Sequence, residues 1–266
     1  MFGNNDTVGV LGHDSIIHRI RGLRDFGIQI SATEILAMKP ADRPQDLRYA
    51  RSQGYIIVDP PFTDQELDPK GAGLLGTVSL DLAMGSKFCI HTNPQTHPVA
   101  NGGMVQDLVV DIMDPETIRQ VEEHDYLCEL ADGQKFALCP GDLVKAYTNR
   151  HFFMPYNIMG LVVGRSKVGR FGVTSTVDAP KIDPGFSGRI VLELAHHGRY
   201  RFALYDGLAI AQIFFLTVEG FITQRYDETH DTHGRNENIH YAIAPTSFMQ
   251  ERVVLRRGVL PVKGEE

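Results

Sequence analysis

Positive charge is in short supply in this chain. Its 266 residues carry 26 Lys and Arg against 33 Asp and Glu, a formal charge of −7, and no basic tail. Duplex nucleic acid is therefore a poor partner, because binding it requires many phosphates to be neutralised together. A small anion remains admissible, since a few Arg and Lys can cluster within an acidic whole. Cysteine is scarce too. Cys89, Cys128 and Cys139 are odd in number and widely spaced, and no C-x-x-C occurs. That pattern excludes a disulfide scaffold and argues against a structural zinc site. No apolar run approaches the ~20 residues that span a bilayer. The opening MFGNNDTVGVLGHD lacks the charged and apolar regions of a secretion signal. A reduced, cytoplasmic protein without a membrane partner is the expectation. Internal repeats and low-complexity segments are absent.

What is present is ordinary globular composition, 42% hydrophobic and 22% charged. A chain of this length buries roughly 70–75% of its unfolded surface, so a core needs no covalent staples. Residues 1–70 read as a helical and irregular extension. Asp14 is placed to cap a short helix bearing Ile16, Ile17 and Ile20 at helical spacing, and a second helix starts near Thr33 and stops before Pro40. The charged stretch Lys39–Arg51 reads as a surface insertion that offers little to a core. Residues 71–221 read as β structure. The apolar runs TVSLDLAM, KFCIHT, LVVDIM, LVKAYTN, IMGLVVG, RIVLELA and LAIAQIFFLTV alternate with turn residues, which predicts a barrel or sandwich. Asp114 and Pro115 mark one intruding helix start. Residues 222–266 form a C-terminal tail with few apolar positions, expected to order only against a ligand or a neighbouring subunit.

The chemistry-bearing residues concentrate in 164–195. Gly164-Arg165-Ser166-Lys167-Val168-Gly169-Arg170 closes a strand with a hydroxyl and cations, a set of donors suited to phosphate oxygens. It lacks P-loop spacing, and alone it is equally a basic surface turn. Ile182-Asp183-Pro184-Gly185-Phe186-Ser187-Gly188 is a tight turn offering an acid and an aromatic face, or simply a hairpin. In Arg189–Ala195, period-2 alternation puts Ile190, Leu192 and Leu194 on one face and Val191, Glu193 and Ala195 on the other. A carboxylate among apolar neighbours suits general acid–base work; in isolation a strand Glu is far more often half of a structural ion pair or at a solvated edge.

Taken together and in this order, the three pieces resemble the dCTP deaminases of the trimeric dUTPase superfamily. Val78–Phe88 looks like the family's early strand motif and Gly207–Phe215 like its late one, so the likeness covers about residues 75–226. The resemblance implies a mainly β fold, a distorted dUTPase-like β-barrel with a few short N-terminal helices, assembled as a homotrimer with active sites between subunits. It implies hydrolysis of dCTP to dUTP and ammonia. Glu193 falls on the proton shuttle, Ser166 and Arg170 on the active-site hydroxyl and cation, and Arg165 and Lys167 on triphosphate contacts. Asp183 falls on the residue that holds the 3′-hydroxyl and Phe186 on the ring beside the sugar. Val191 and Leu192 fall on nucleotide-lining positions, Ala179 on a backbone that orients water, and Tyr226 on a tail tyrosine. Thr176, Asp178, Pro180 and Lys167 depart from the usual pattern, as do His233 and Glu237 after Tyr226; Arg235 stands near the lost tail cation. The H-x-E and P-C-x-x-C of zinc deaminases are missing, since Cys139-Pro140 has the reverse order. Mg²⁺ enters only as a passenger on the triphosphate. No metal ligand is assigned, and His196, His197, His230 and His233 read as solvated or hydrogen-bonded. Two alternatives stand beside this reading: a dUTPase or bifunctional deaminase using Asp183, and a non-catalytic nucleotide-binding regulator.

Overall fold

A computed structural model describes residues 9–68, 73–91, 113–115, 125–220, 222, 226–229 and 259–260. The predicted strand at 108–113, the helix after Asp114 and most of the tail lie outside the described residues. Helices cluster early. α1 (His13–Arg19) has Gly12, not Asp14, at its N-cap; Asp14 sits in the first turn, where its charge suits the helix dipole. α2 (Ala32–Ala37) is closed by a capping box in which Ser31 Oγ accepts from the Glu34 amide and Glu34 accepts from the Ser31 amide.

α3 (Gln45–Ser52) corrects the expectation of a surface insertion. Leu47 and Ala50 are fully buried, with Arg43 and Arg51 buried beside them. They join Ile35, Ile57 and Phe153 in a second, smaller core. A Leu taken fully out of water contributes about 1.5–3 kcal/mol, so this segment is part of the fold.

The strands are β1 (Ile20–Gly22), β2 (Ile56–Asp59), β3 (Leu80–His91), β4 (Asp125–Glu129), β5 (Lys135–Leu138), β6 (Leu143–Phe153), β7 (Ile158–Gly164), β8 (Val173–Thr174), β9 (Lys181–Ile182), β10 (Ser187–His196), β11 (Phe202–Leu204), β12 (Ala209–Thr217) and β13 (Val259–Leu260). The mainly β reading holds. One ten-stranded sheet follows the path β1-β2-β6-β3-β12-β7-β9, with β10 and β4 branching from β6 and β3 and β8 pairing β10; β11-β5-β13 form a second sheet. Among the described residues the path does not close into a ring. TVSLDLAM and KFCIHT, which looked like two strands broken at Gly85, are one strand: the register on β6 shifts between Met84 and Phe88, so Gly85 lies at a bulge.

β10 is the strand that matters for the site. It lies along β6 with a second register shift: Val191 pairs with Tyr147, yet Arg189 pairs with His151. Thr148 repairs the interrupted ladder, its Oγ1 accepting from the Ile190 amide at 2.9 Å and its carbonyl accepting from Arg189 at 2.9 Å. The alternation of β10 is as expected, with Ile190, Leu192 and Leu194 buried in the main core.

Candidate active site

The opposite face of β10 opens on a cavity of ≈ 170 Å³ lined by Thr176, Ala179, Ile182, Phe186, Val191 and Glu193. Of the residues expected at the site, Glu193, Val191, Phe186 and Ala179 meet here. Glu193 is half-buried, and one carboxylate oxygen accepts from the Val177 amide at 3.2 Å. Its neighbour across the ladder is Lys145, which puts a cation at the facing position of β6. The carboxylate is thus fixed by a backbone donor while facing a mostly apolar niche.

Leu192 does not line the cavity. The same alternation that presents Val191 and Glu193 sends the Leu192 side chain into the core, where it is fully buried. Its expected lining role is corrected on that ground.

Asp183-Pro184-Gly185-Phe186 is the tight turn expected of Pro beside Gly. The Phe186 amide donates to the Asp183 carbonyl at 3.0 Å, and Gly185 has φ +84°, the left-handed value that a type II turn requires at its third residue. Asp183 pairs with Lys181 at 2.7 Å. Phe186 is buried, and Tyr226 stands behind it with ring centroids 5.9 Å apart; Tyr226 does not line the cavity. Tyr226 belongs to a short helix, Tyr226–Thr229, and packs its ring on Phe186 of the same chain.

The basic loop is elsewhere. Ser166, Lys167 and Arg170 lie on or beside the short helix Ser166–Gly169, are exposed, and are not among the lining residues. Arg165 commits two nitrogens, one to Asp81 at 2.7 Å and one to the Ala209 carbonyl at 2.7 Å. Burial pushes the Asp81 carboxyl above its ordinary range, and the Arg165 charge only partly opposes it. His196 is buried and hydrogen-bonded, with Nδ1 accepting from the Gly198 amide at 3.1 Å and Nε2 bonded to the Tyr200 carbonyl. Among the described residues no group of three His, Cys, Asp or Glu is arranged to hold a metal, and no helix is long and apolar enough to cross a membrane.

Sequence reasoning missed Thr176, Ile182 and the Val177 amide as parts of the site. Thr176 was visible as a departure in the hairpin, and Ile182 abuts Asp183. The amide had no signal, because backbone donors are invisible to residue type.

A family model described as dCTP deaminase-like matches residues 43–218, which takes in α3 as well as the β region. A dCTP deaminase of Colwellia psychrerythraea is 33% identical over 191 residues, 70% of this chain and 90% of the relative. A dUMP-forming dCTP deaminase of Methanobrevibacter smithii is 30% identical over 166 residues, 62% of this chain and 74% of the relative. Among solved structures, the chain is similar to the 2′-deoxycytidine 5′-triphosphate deaminase of Agrobacterium tumefaciens, with TM-score 0.46 and 15% identity over 79% of this chain and 49% of that one. With two thirds of its length matched by the family model and a relative 33% identical over 70% of the chain, the chain belongs to the dCTP deaminase-like family.

Proposed function

We propose that this protein hydrolyses dCTP to dUTP and ammonia in the cytoplasm, with Glu193 as proton shuttle. Glu193 takes a proton from water, whose oxygen forms a bond to C4 of cytosine. The carboxyl gives that proton to N3, then carries the proton of the new C4 hydroxyl to the exocyclic amine as the C4–N4 bond breaks and C4=O forms, so that water and dCTP become dUTP and ammonia. General acid–base catalysis of this kind contributes about 10²–10⁴-fold. The observation that carries the reading is the placement of Glu193: a carboxylate held by a backbone amide and lining a mostly apolar cavity. The chain also lacks the H-x-E and P-C-x-x-C residues that prepare hydroxide on zinc, which supports a zinc-independent route.

The cavity is smaller than the ~300–1,000 Å³ typical of ligand clefts. One chain therefore supplies only part of a nucleotide site. We read the remainder as the exposed Ser166, Lys167 and Arg170 of a neighbouring copy, with Arg165 behind them, in a homotrimer whose sites lie between subunits. Ser166 then holds the water and Arg170 the carboxylate, and the cations meet a triphosphate that brings its own Mg²⁺. Asp183 and Phe186 face the sugar, and the Ala179 backbone helps to aim the water.

A second reading couples deamination to pyrophosphate release. It is favoured by relatives named as dUMP-forming and by Asp183, a turn carboxylate beside the cavity wall. Incubation of dCTP with Mg²⁺ and the protein, with ammonia, dUTP, dUMP and pyrophosphate measured separately, tests both. Ammonia with dUTP supports the first reading, and ammonia with dUMP and pyrophosphate the second. Glu193→Gln is expected to lower turnover by at least about 100-fold. Near-normal turnover by that variant refutes the shuttle.

A further inference from the structure

Two ionic side chains outside the cavity are buried together. Arg51, near the end of α3, is 1% exposed, and Asp227, in the helix Tyr226–Thr229, is 8% exposed. Arg51 Nη1 donates to Asp227 Oδ2 at 2.8 Å across 176 residues of sequence. Taking two ions out of water is costly, and such a pair persists only where further bonds satisfy it. Arg51 makes those bonds in one place. Its Nε donates to the Met154 carbonyl at 2.8 Å, its Nη2 to the Phe186 carbonyl at 3.5 Å, and its guanidinium lies 4.7 Å over the Tyr156 ring.

The destination of these bonds is the sugar-facing turn. The Phe186 carbonyl also accepts from the Met154 amide at 2.8 Å, and the Gly185 amide donates to Pro155 at 3.1 Å. The turn is thus tied to residues 154–155 on one side and to Arg51 on another. Through Asp227, the same guanidinium fixes the helix whose first residue, Tyr226, backs the Phe186 ring. An apolar pair would pack as well as an ion pair, often with no loss of stability, but it would not aim three donors at two carbonyls and a carboxylate.

We propose that Arg51 is a positioning residue for the nucleotide: it clamps the Asp183–Phe186 turn from beneath and, through Asp227, holds Tyr226 behind the ring that walls the cavity. The inference rests on the reading of that cavity as the dCTP site. It makes the segment before residue 70 part of substrate binding and not a separate extension.

The test uses the full chain, which has no tryptophan, so that Tyr226→Trp provides a single indole that can be excited apart from the remaining tyrosines. Adding Asp227→Asn, which keeps the shape and removes the charge, is expected to red-shift the emission and increase acrylamide quenching. In the chain without the probe, Asp227→Asn is expected to raise KM for dCTP about tenfold with kcat nearly unchanged, the mark of lost binding without lost chemistry. Arg51→Lys is expected to behave likewise, since an ammonium cannot reproduce the guanidinium fork. Arg51→Met is expected to raise KM in the same way; Asp227→Asn, which leaves the Arg51 bonds to the Met154 and Phe186 carbonyls in place, keeps the test decisive if Arg51→Met does not fold. An unchanged KM in Asp227→Asn overturns the proposal whatever the emission does. If the unsubstituted chain releases no ammonia from dCTP, the functional reading has failed. The emission alone then decides, and no shift overturns the clamp.

Discussion

Gly185→Ala probes the turn beneath the proposed sugar site, and its cost can be worked from two separate terms. The first is conformational. At φ +84° an alanine Cβ crowds its own backbone, a penalty of roughly 1–2 kcal/mol. The second is local crowding. The added carbon would lie 3.3 Å from the Tyr226 nitrogen, 3.4 Å from Asp227 Oδ1 and 3.6 Å from Arg51 Nη2. Only the approach to the Tyr226 nitrogen is tighter than ordinary contact, and relieving it requires a shift of a few tenths of an ångström in that backbone, at about 1 kcal/mol, the lower end of overpacking costs. The sum is about 2–3 kcal/mol. Gly207→Ala isolates the first term, because Gly207 has φ +79° with nothing within 4 Å of a new Cβ. Urea unfolding of both variants beside the native chain gives the two free energies. Gly185→Ala is expected to lose about 1 kcal/mol more than Gly207→Ala. Equal losses refute the crowding argument, and no loss in either variant refutes the strain argument.

Two further outcomes follow from burial and charge. Leu192→Ala, in the fully buried face of β10, is expected to cost about 2–5 kcal/mol in chemical unfolding; a loss under about 1 kcal/mol would mean that Leu192 turns to the cavity after all. Glu66 gives a pH dependence. Burial pushes its carboxyl up, but the Thr63 amide, Arg150 and the Thr63 hydroxyl outweigh it, so it sits below its ordinary value of 4.5. The unfolded chain then binds the proton more readily, and the stabilisation is complete above about pH 5 and fades as pH falls through the lowered folded value. The stability difference between the native chain and Glu66→Gln is expected to shrink from pH 6 to pH 3, and a constant difference refutes the assignment.

Much of the β architecture was legible because it is local. Period-2 alternation in Ser187–His196 sorted Glu193 from Leu192, and Pro184-Gly185 announced a turn that closes as expected. What stayed illegible depends on distant residues. Arg43 and Arg51 made 39–51 look like surface, yet α3 is buried because Arg51 finds Asp227, Met154 and Phe186, all more than 100 positions away. Strand β2 pairs in parallel with β1 and antiparallel with β6, contacts that no short window contains. Strands β4 and β5 escaped notice since their runs are only five and four residues long. The basic loop was recognised by its residue types, but type alone did not reveal that it stands apart from the cavity within one chain.

The register shift between β6 and β10 has an arithmetic consequence. Between Tyr147 and His151 there are three residues, against one between Arg189 and Val191 on the other strand, a surplus of two. Two is even, so inward and outward sides stay in phase on either side of the irregularity. Losing one residue near Asn149 would put the two halves out of step: either oil faces water or the acid is driven into oil. Insertions and deletions at that point are confined to pairs, a rule of parity written into the length of the chain and independent of which side chains it carries.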